Sequence, residues 1–126
     1  MGVNHLLLID DDQDDQEIFH AALREISSSV RYSYIDNAKE ALLKLTAGEI
    51  MPDLIFLDLN MPQMTGQEFL DQAKKDPRLS VLPVIIFTTS SDPSTRQSMM
   101  GKGAAGFITK PGDFYELINL LKPLLV

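Results

Sequence analysis

"DLIFLDL", residues 53–59, is apolar without interruption between its aspartates. A strand with one wet face alternates apolar and polar side chains, whereas a continuous run marks a strand covered on both faces. Such strands sit in parallel sheets, where crossover helices supply the cover. The stretch therefore raises an expectation about its surroundings: strand and helix should alternate along the chain.

They do. "LPVIIFT" at 82–88 reads as a second fully buried strand, and "HLLLI" at 5–9 and "AGFIT" at 105–109 as two more. "VRYSYID" at 30–36 is β-branched, aromatic and partly alternating, which suits a strand with one less apolar face. Between these runs the spacing changes to that of helices. Ile18, Phe19, Ala22, Leu23 and Ile26 share one face before "SSS" at 27–29. Asn37 and Glu40 make a capping-box pattern ahead of Ala38, Ala41, Leu42 and Leu45, and Gly48 lies past that helix. "TGQE" at 65–68 opens a third helix, with Phe69, Leu70 and Ala73. Asp92 and Pro93 read as N-cap and first helical residue of a fourth. Phe114, Leu117, Ile118, Leu121 and Leu125 stripe the last, with Pro123 expected to fray its end. Five strands alternating with five helices predict an α/β, doubly wound parallel sheet. We read residues 1–126 as one domain with its core at about 5–125 and no separate output domain, so that any output comes from its own surface or from partners.

The bulk composition excludes several classes. A hydrophobic fraction of 44% supplies an ordinary core. Without cysteine there is no disulfide, thiolate nucleophile or thiolate metal site. His5 and His20 have no ligand spacing and read as solvent-facing or partly packed. No apolar run approaches membrane-spanning length, and the start carries no signal-peptide pattern; the expectation is a cytoplasmic protein without membrane insertion. Met-Gly begins the chain, but Leu6 stands where a myristoylation signal wants Ser or Thr. A net charge of -7 opposes direct binding to a nucleic-acid backbone.

The carboxylates are unevenly placed. In an open α/β sheet, chemistry gathers beyond the carboxyl ends of the strands. Asp10, Asp11 and Asp12 follow the first strand, Asp58 ends the third, Thr88 the fourth and Lys110 the fifth. Carboxylates brought that close repel unless one is protonated or a cation lies between them. A hard divalent ion suits them, and Mg2+ favours one or two carboxylates with waters and phosphate oxygens. An ammonium and a hydroxyl opposite a metal-bound carboxylate can cradle a phosphoryl group. An aspartate can itself be the nucleophile and form an acyl phosphate. Asp58 is the best placed, being central and ending the most apolar strand. Asp12, Asp14 and Asp15 have a plainer reading, as carboxylates at a helix N-terminus, and Asp14 with Glu17 fits a capping box.

Taken together, "LLLIDDD", "PDLIFLDLNMPQMTG", "VIIFTTSS" and "GAAGFITKP" resemble the receiver domain of two-component response regulators, of the single-domain chemotaxis-regulator type. The resemblance covers about residues 5–125 and implies the strand order 2-1-3-4-5. It implies that Asp58 is the phosphoacceptor, that Asp11 binds Mg2+ directly and Asp10 through water, and that the backbone carbonyl of Asn60 is a further ligand. Thr88 matches the switch hydroxyl, Lys110 the phosphate-binding lysine and Phe107 the switch aromatic. Phe107 stands where tyrosine is commoner, and Gly112 where phenylalanine is frequent. The resemblance also implies a cis Lys110–Pro111 bond. Asn60 and Ser90, both short and neutral, would border the path of hydrolytic water, giving self-dephosphorylation at a moderate rate.

The implied function is a phosphorylation-dependent switch. A phosphohistidine of a sensor histidine kinase, or a histidine phosphotransfer protein, exchanges the phosphoryl group with Asp58, and an unidentified downstream protein reads the result. Such a chain catalyses its own phosphorylation and dephosphorylation, serves mainly in signalling, and is a monomer or weak dimer. Two other functions compete. A receiver-like adaptor would bind partners without responding to phosphate. A haloacid-dehalogenase-like phosphatase also forms an aspartyl phosphate, and Asp10 with Asp12 imitates its DxD spacing. That enzyme wants Thr or Val where Asp14 stands, and a second acidic pair that "FTTSSD" does not supply. A flavin site is disfavoured by the acidic first loop.

Overall fold

The computed structural model describes residues 2–125. Strands β1 (His5–Ile9), β2 (Arg31–Ile35), β3 (Leu54–Leu57), β4 (Val84–Thr88) and β5 (Gly106–Thr109) alternate with helices α1 (Gln13–Ile26), α2 (Ala38–Thr46), α3 (Gly66–Lys75), α4 (Pro93–Gly101) and α5 (Phe114–Leu125). The strands form one sheet in the order β2-β1-β3-β4-β5, and every pairing is parallel. The architecture is therefore the α/β, flavodoxin-like, doubly wound sheet expected from the sequence.

The period of two along each strand divides the core. Leu6, Leu8, Phe56, Ile85 and Phe87 pack against Phe19 and Leu23 of α1 and Leu117 and Leu121 of α5. Leu7, Ile9, Ile55, Leu57 and Ile86 face α2, α3 and α4, meeting Ala41, Leu45, Phe69, Leu70 and Met99. Phe19 is the keystone of the first layer: its ring meets Phe56 at 5.0 Å and Phe87 at 5.5 Å, both edge-on. Aromatic contacts of that geometry add to the area they bury.

Local chemistry sets the helix ends. Thr65 and Glu68 close a reciprocal capping box on α3. Asn37 caps α2 by accepting from the Glu40 amide, and Gly48, at φ +75°, takes the left-handed turn beyond its end. On α1 the cap is Asp12, whose carboxylate accepts from the Asp15 amide. Asp14 lies inside the first turn, so the Asp14–Glu17 box does not form. The reason is the shortness of the β1–α1 turn: β1 ends at Ile9 and the helix has begun by Gln13. Pro123 does not end α5, which runs to Leu125. A proline in the last turn forfeits one backbone bond, while Leu125 stays buried.

No helix among the described residues is long and apolar enough to cross a membrane.

Candidate functional site

The acidic turn after β1 and the residue after β3 meet at the carboxyl edge of the sheet. Ligand oxygens of Asp10, Asp11 and Asp58 all lie within 4.8 Å of one another. Asp10 is fully buried and Asp58 nearly so, whereas Asp11 is exposed. This gives two sealed carboxylates and one at the mouth, a donor set that fits a hard divalent cation approached from solvent. Asp12 is not part of the group. Its carboxylate is committed to the helix cap, which removes the DxD reading of Asp10 and Asp12.

Backbone geometry holds these groups in place. The Asp58 amide continues the β1–β3 ladder by donating to Ile9 O at 2.9 Å. Its carboxylate accepts from the Leu59 amide at 2.9 Å. Asp10 accepts from the Asp12 amide at 2.9 Å. Gly66, the first residue of α3, sits against the Asp58 carbonyl.

Lys110 reaches in from beyond β5. Its amide donates to Thr88 O, extending the β4–β5 ladder past the strand. Its Nζ lies 2.8 Å from Asp10 Oδ2, 2.7 Å from Asp15 Oδ2 and 3.9 Å from Asp58 Oδ2. The ammonium also stands 5.5 Å from the centre of the Phe87 ring. It does all this without a cis bond, because no cis peptide occurs among the described residues. The expected cis Lys110–Pro111 bond is thus corrected: the flexible lysine stem bridges the distance from a trans backbone.

The electrostatics follow from burial. Removal from water pushes the Asp58 carboxyl up to about 6; the Lys110 charge opposes this and Asp10 adds to it. Burial also raises Asp10, against the hydrogen bonds from Lys110 and the Asp12 amide. For Lys110, burial works to lower the value, but its bonds to Asp10 and Asp15 and the charges of Asp10 and Asp58 leave it raised. The ammonium therefore stays charged, while the carboxylates are poised to gain from a cation.

Of the other expected residues, Thr88 ends β4 and Asn60 follows β3 at this edge, while the rest lie elsewhere. Thr88 is fully buried, and its Oγ1 accepts a long bond of 3.4 Å from the Ser90 amide. Asn60 is exposed at the rim. Phe107 points inward and belongs to the core layer beneath α4. Met99 is buried in the same layer, while Met100 faces solvent. His5 bonds the Ser33 hydroxyl and His20 stacks on Tyr32 at 4.3 Å.

Two contacts escaped the sequence reading. Asp15 is a partner of Lys110 as close as Asp10. The signal was its place in the first turn of α1, just past the acidic turn after β1, which capping chemistry accounted for too readily. Arg96 lies over Phe107, its Cζ 5.8 Å from the ring centre and its Nη1 donating to the Phe107 carbonyl at 3.3 Å. Nothing in the sequence spacing distinguishes Arg96 from any other exposed helix arginine.

A parallel sheet with a sealed, acidic, lysine-bearing carboxyl edge suits phosphoryl and divalent-metal chemistry. The model of the response regulator receiver domain matches residues 6–122. The two-component response regulator ORR8 of rice, Oryza sativa subsp. indica, is 31% identical over 122 residues, covering 97% of this chain and 98% of the relative. Among solved structures, the phosphorylated cyanobacterial phytochrome response regulator RcpA superposes with a TM-score of 0.87 at 27% identity, over 95% of this chain and 89% of that one. The chemotaxis response regulator CheY4 of Vibrio cholerae gives a TM-score of 0.80 at 27% identity, over 96% and 98% of the two chains. The chain belongs to the response regulator receiver family and functions as a phosphorylation-dependent receiver domain of a two-component system.

Proposed function

We propose that Asp58 is the phosphoacceptor and that Asp11, Asp58 and the Asn60 carbonyl, with Asp10 through water, hold Mg2+. The observation that carries this reading is the meeting of Asp10, Asp11 and Asp58 within 4.8 Å, with the Lys110 ammonium 3.9 Å from Asp58. When bound, the ion would neutralise charge on the incoming phosphoryl oxygens. An Asp58 carboxylate oxygen attacks the phosphorus of a phosphohistidine on a sensor kinase or histidine phosphotransfer protein. The P–N bond breaks, its electron pair returns to the imidazole, and an acyl phosphate forms. Lys110 balances the added charge and Thr88 donates a hydrogen bond to it. Thr88 then draws toward the phosphoryl group, Phe107 fills the space it leaves, and the face of α4, β5 and α5 changes for a downstream partner. Residues 1–126 act in this reading as a single receiver unit in the cytoplasm.

The test is to incubate the protein with Mg2+ and a small phosphodonor. A mass gain in the wild type that is absent in Asp58→Asn supports the reading. An equal gain in both rejects Asp58 as acceptor.

A further inference from the structure

The resting position of Lys110 is set from two sides. An ammonium has three N–H donors. Here one reaches Asp10 at 2.8 Å and another Asp15 at 2.7 Å, while Asp58, at 3.9 Å, is out of hydrogen-bond range. Asp10 comes from the turn that follows β1 and Asp15 is the third residue of α1. The Asp15 amide is tied to the Asp12 cap at 3.0 Å, which fixes the turn that carries its carboxylate. The Phe87 ring bounds Lys110 beneath. Asp15 is half-buried and otherwise free to face water, so its pairing with Lys110 is a choice of this sequence rather than a need to satisfy a sealed group.

We propose that Asp15 is a positioning residue that restrains Lys110 and competes with the phosphoryl group for it. This inference rests on Asp58 as the phosphoacceptor. In the resting protein Asp15 keeps the ammonium short of Asp58 and leaves the nucleophilic oxygens unpaired by it. Once a phosphoryl group stands on Asp58, its oxygens and the Asp15 carboxylate draw on the same ammonium, and Asp15 adds a nearby negative charge. Both effects act in one direction: they loosen the hold on the phosphoryl group and shorten the life of the phosphorylated state.

The experiment compares Asp15→Asn, Asp15→Glu, Asp14→Asn and wild type. Asp14 is the neighbouring carboxylate in the first turn of α1, so Asp14→Asn removes the same helix-terminal charge without touching Lys110. Two quantities are read: the dissociation constant of beryllofluoride with Mg2+, followed by fluorine NMR, and the rate of self-dephosphorylation. Asp15→Asn should bind the mimic more tightly and dephosphorylate more slowly, each by about fivefold, as expected for a half-exposed ion pair. Asp15→Glu should restore wild-type values, and Asp14→Asn should match wild type in both. If Asp15→Asn and Asp14→Asn behave alike, or if Asp15→Asn weakens the mimic, the restraining role is overturned while the phosphoacceptor reading stands. If the wild type takes up neither mimic nor phosphate, both fall together.

Discussion

Gly66 is packed so tightly on Asp58 that a side chain has no room: a Cβ there would strike the Asp58 carbonyl and come within 2.8 Å of Leu59 Cα. Both obstacles are backbone and cannot rotate away. Gly66→Ala should therefore destabilise the fold by about 3 kcal/mol, at the high end of overpacking costs. It should also slow phosphorylation, since relief requires Asp58 to move. Urea denaturation and phosphorylation rates on the folded fraction check the two parts.

Lys110 is the counter-ion of the buried Asp10. Removing one partner of a sealed pair leaves an uncompensated charge, and Lys110→Ala should cost about 3 kcal/mol in metal-free buffer at neutral pH. Mg2+ should recover part of that loss, because its affinity stays equal or rises once a repelling cation is gone. Thermal melts with and without Mg2+ measure both. Phosphate, if accepted, should no longer be coupled to a change at α4–β5–α5.

Asp58 gives a pH signature. Its folded-state value of about 6 lies above the ordinary 3.8, so the folded protein binds the extra proton. The contribution to stability is fully present below about pH 4 and is lost as pH rises through 6. At pH 7.5 in chelator, Asp58→Asn should thus be more stable than wild type by about 3 kcal/mol, with the gap closing toward pH 4. Mg2+ should narrow the gap at pH 7.5 by stabilising the wild type. Paired denaturation curves at the two pH values decide it.

Phe107 has no hydroxyl to hold it in either position, and its inward packing is reinforced by Arg96. An exposed cation over an aromatic ring is worth about 0.5–1 kcal/mol. Arg96→Ala should weaken the inward state by about threefold and, because the space that Thr88 vacates favours the inward ring, weaken beryllofluoride binding by a similar factor. Amide shifts over residues 93–122 should move away from those of the beryllofluoride-bound wild type.

The fold was legible because burial on two faces leaves so plain a mark. The apolar run at 53–59 demanded cover, and the alternating spacing elsewhere supplied it, although Asp58 proves to lie just past its strand. The site was legible because Asp10, Asp11, Asp58, Thr88 and Lys110 sit at strand ends, where topology alone brings them to one edge. Asp15 was not legible in its pairing role. A carboxylate in a first turn satisfies capping chemistry whether or not a lysine lies beside it, and only the approach of the Lys110 ammonium to that turn tells the two apart. The backbone before Pro111 was hidden too, since a long flexible side chain can reach the same point from either isomer. The direction of Phe107 depends on the packing of α4, which spacing does not specify.

The central claim is that phosphate is carried on Asp58. The most direct measurement is to treat the phosphorylated protein with borohydride, which reduces the acyl phosphate and marks its carbon, and then to locate the marked residue by peptide mass spectrometry. The mark should fall on Asp58, in wild type and in Asp15→Asn alike, and should require Mg2+ during phosphorylation. A mark on Asp10, Asp11 or any other carboxylate, or labelling that ignores Mg2+, would contradict the account.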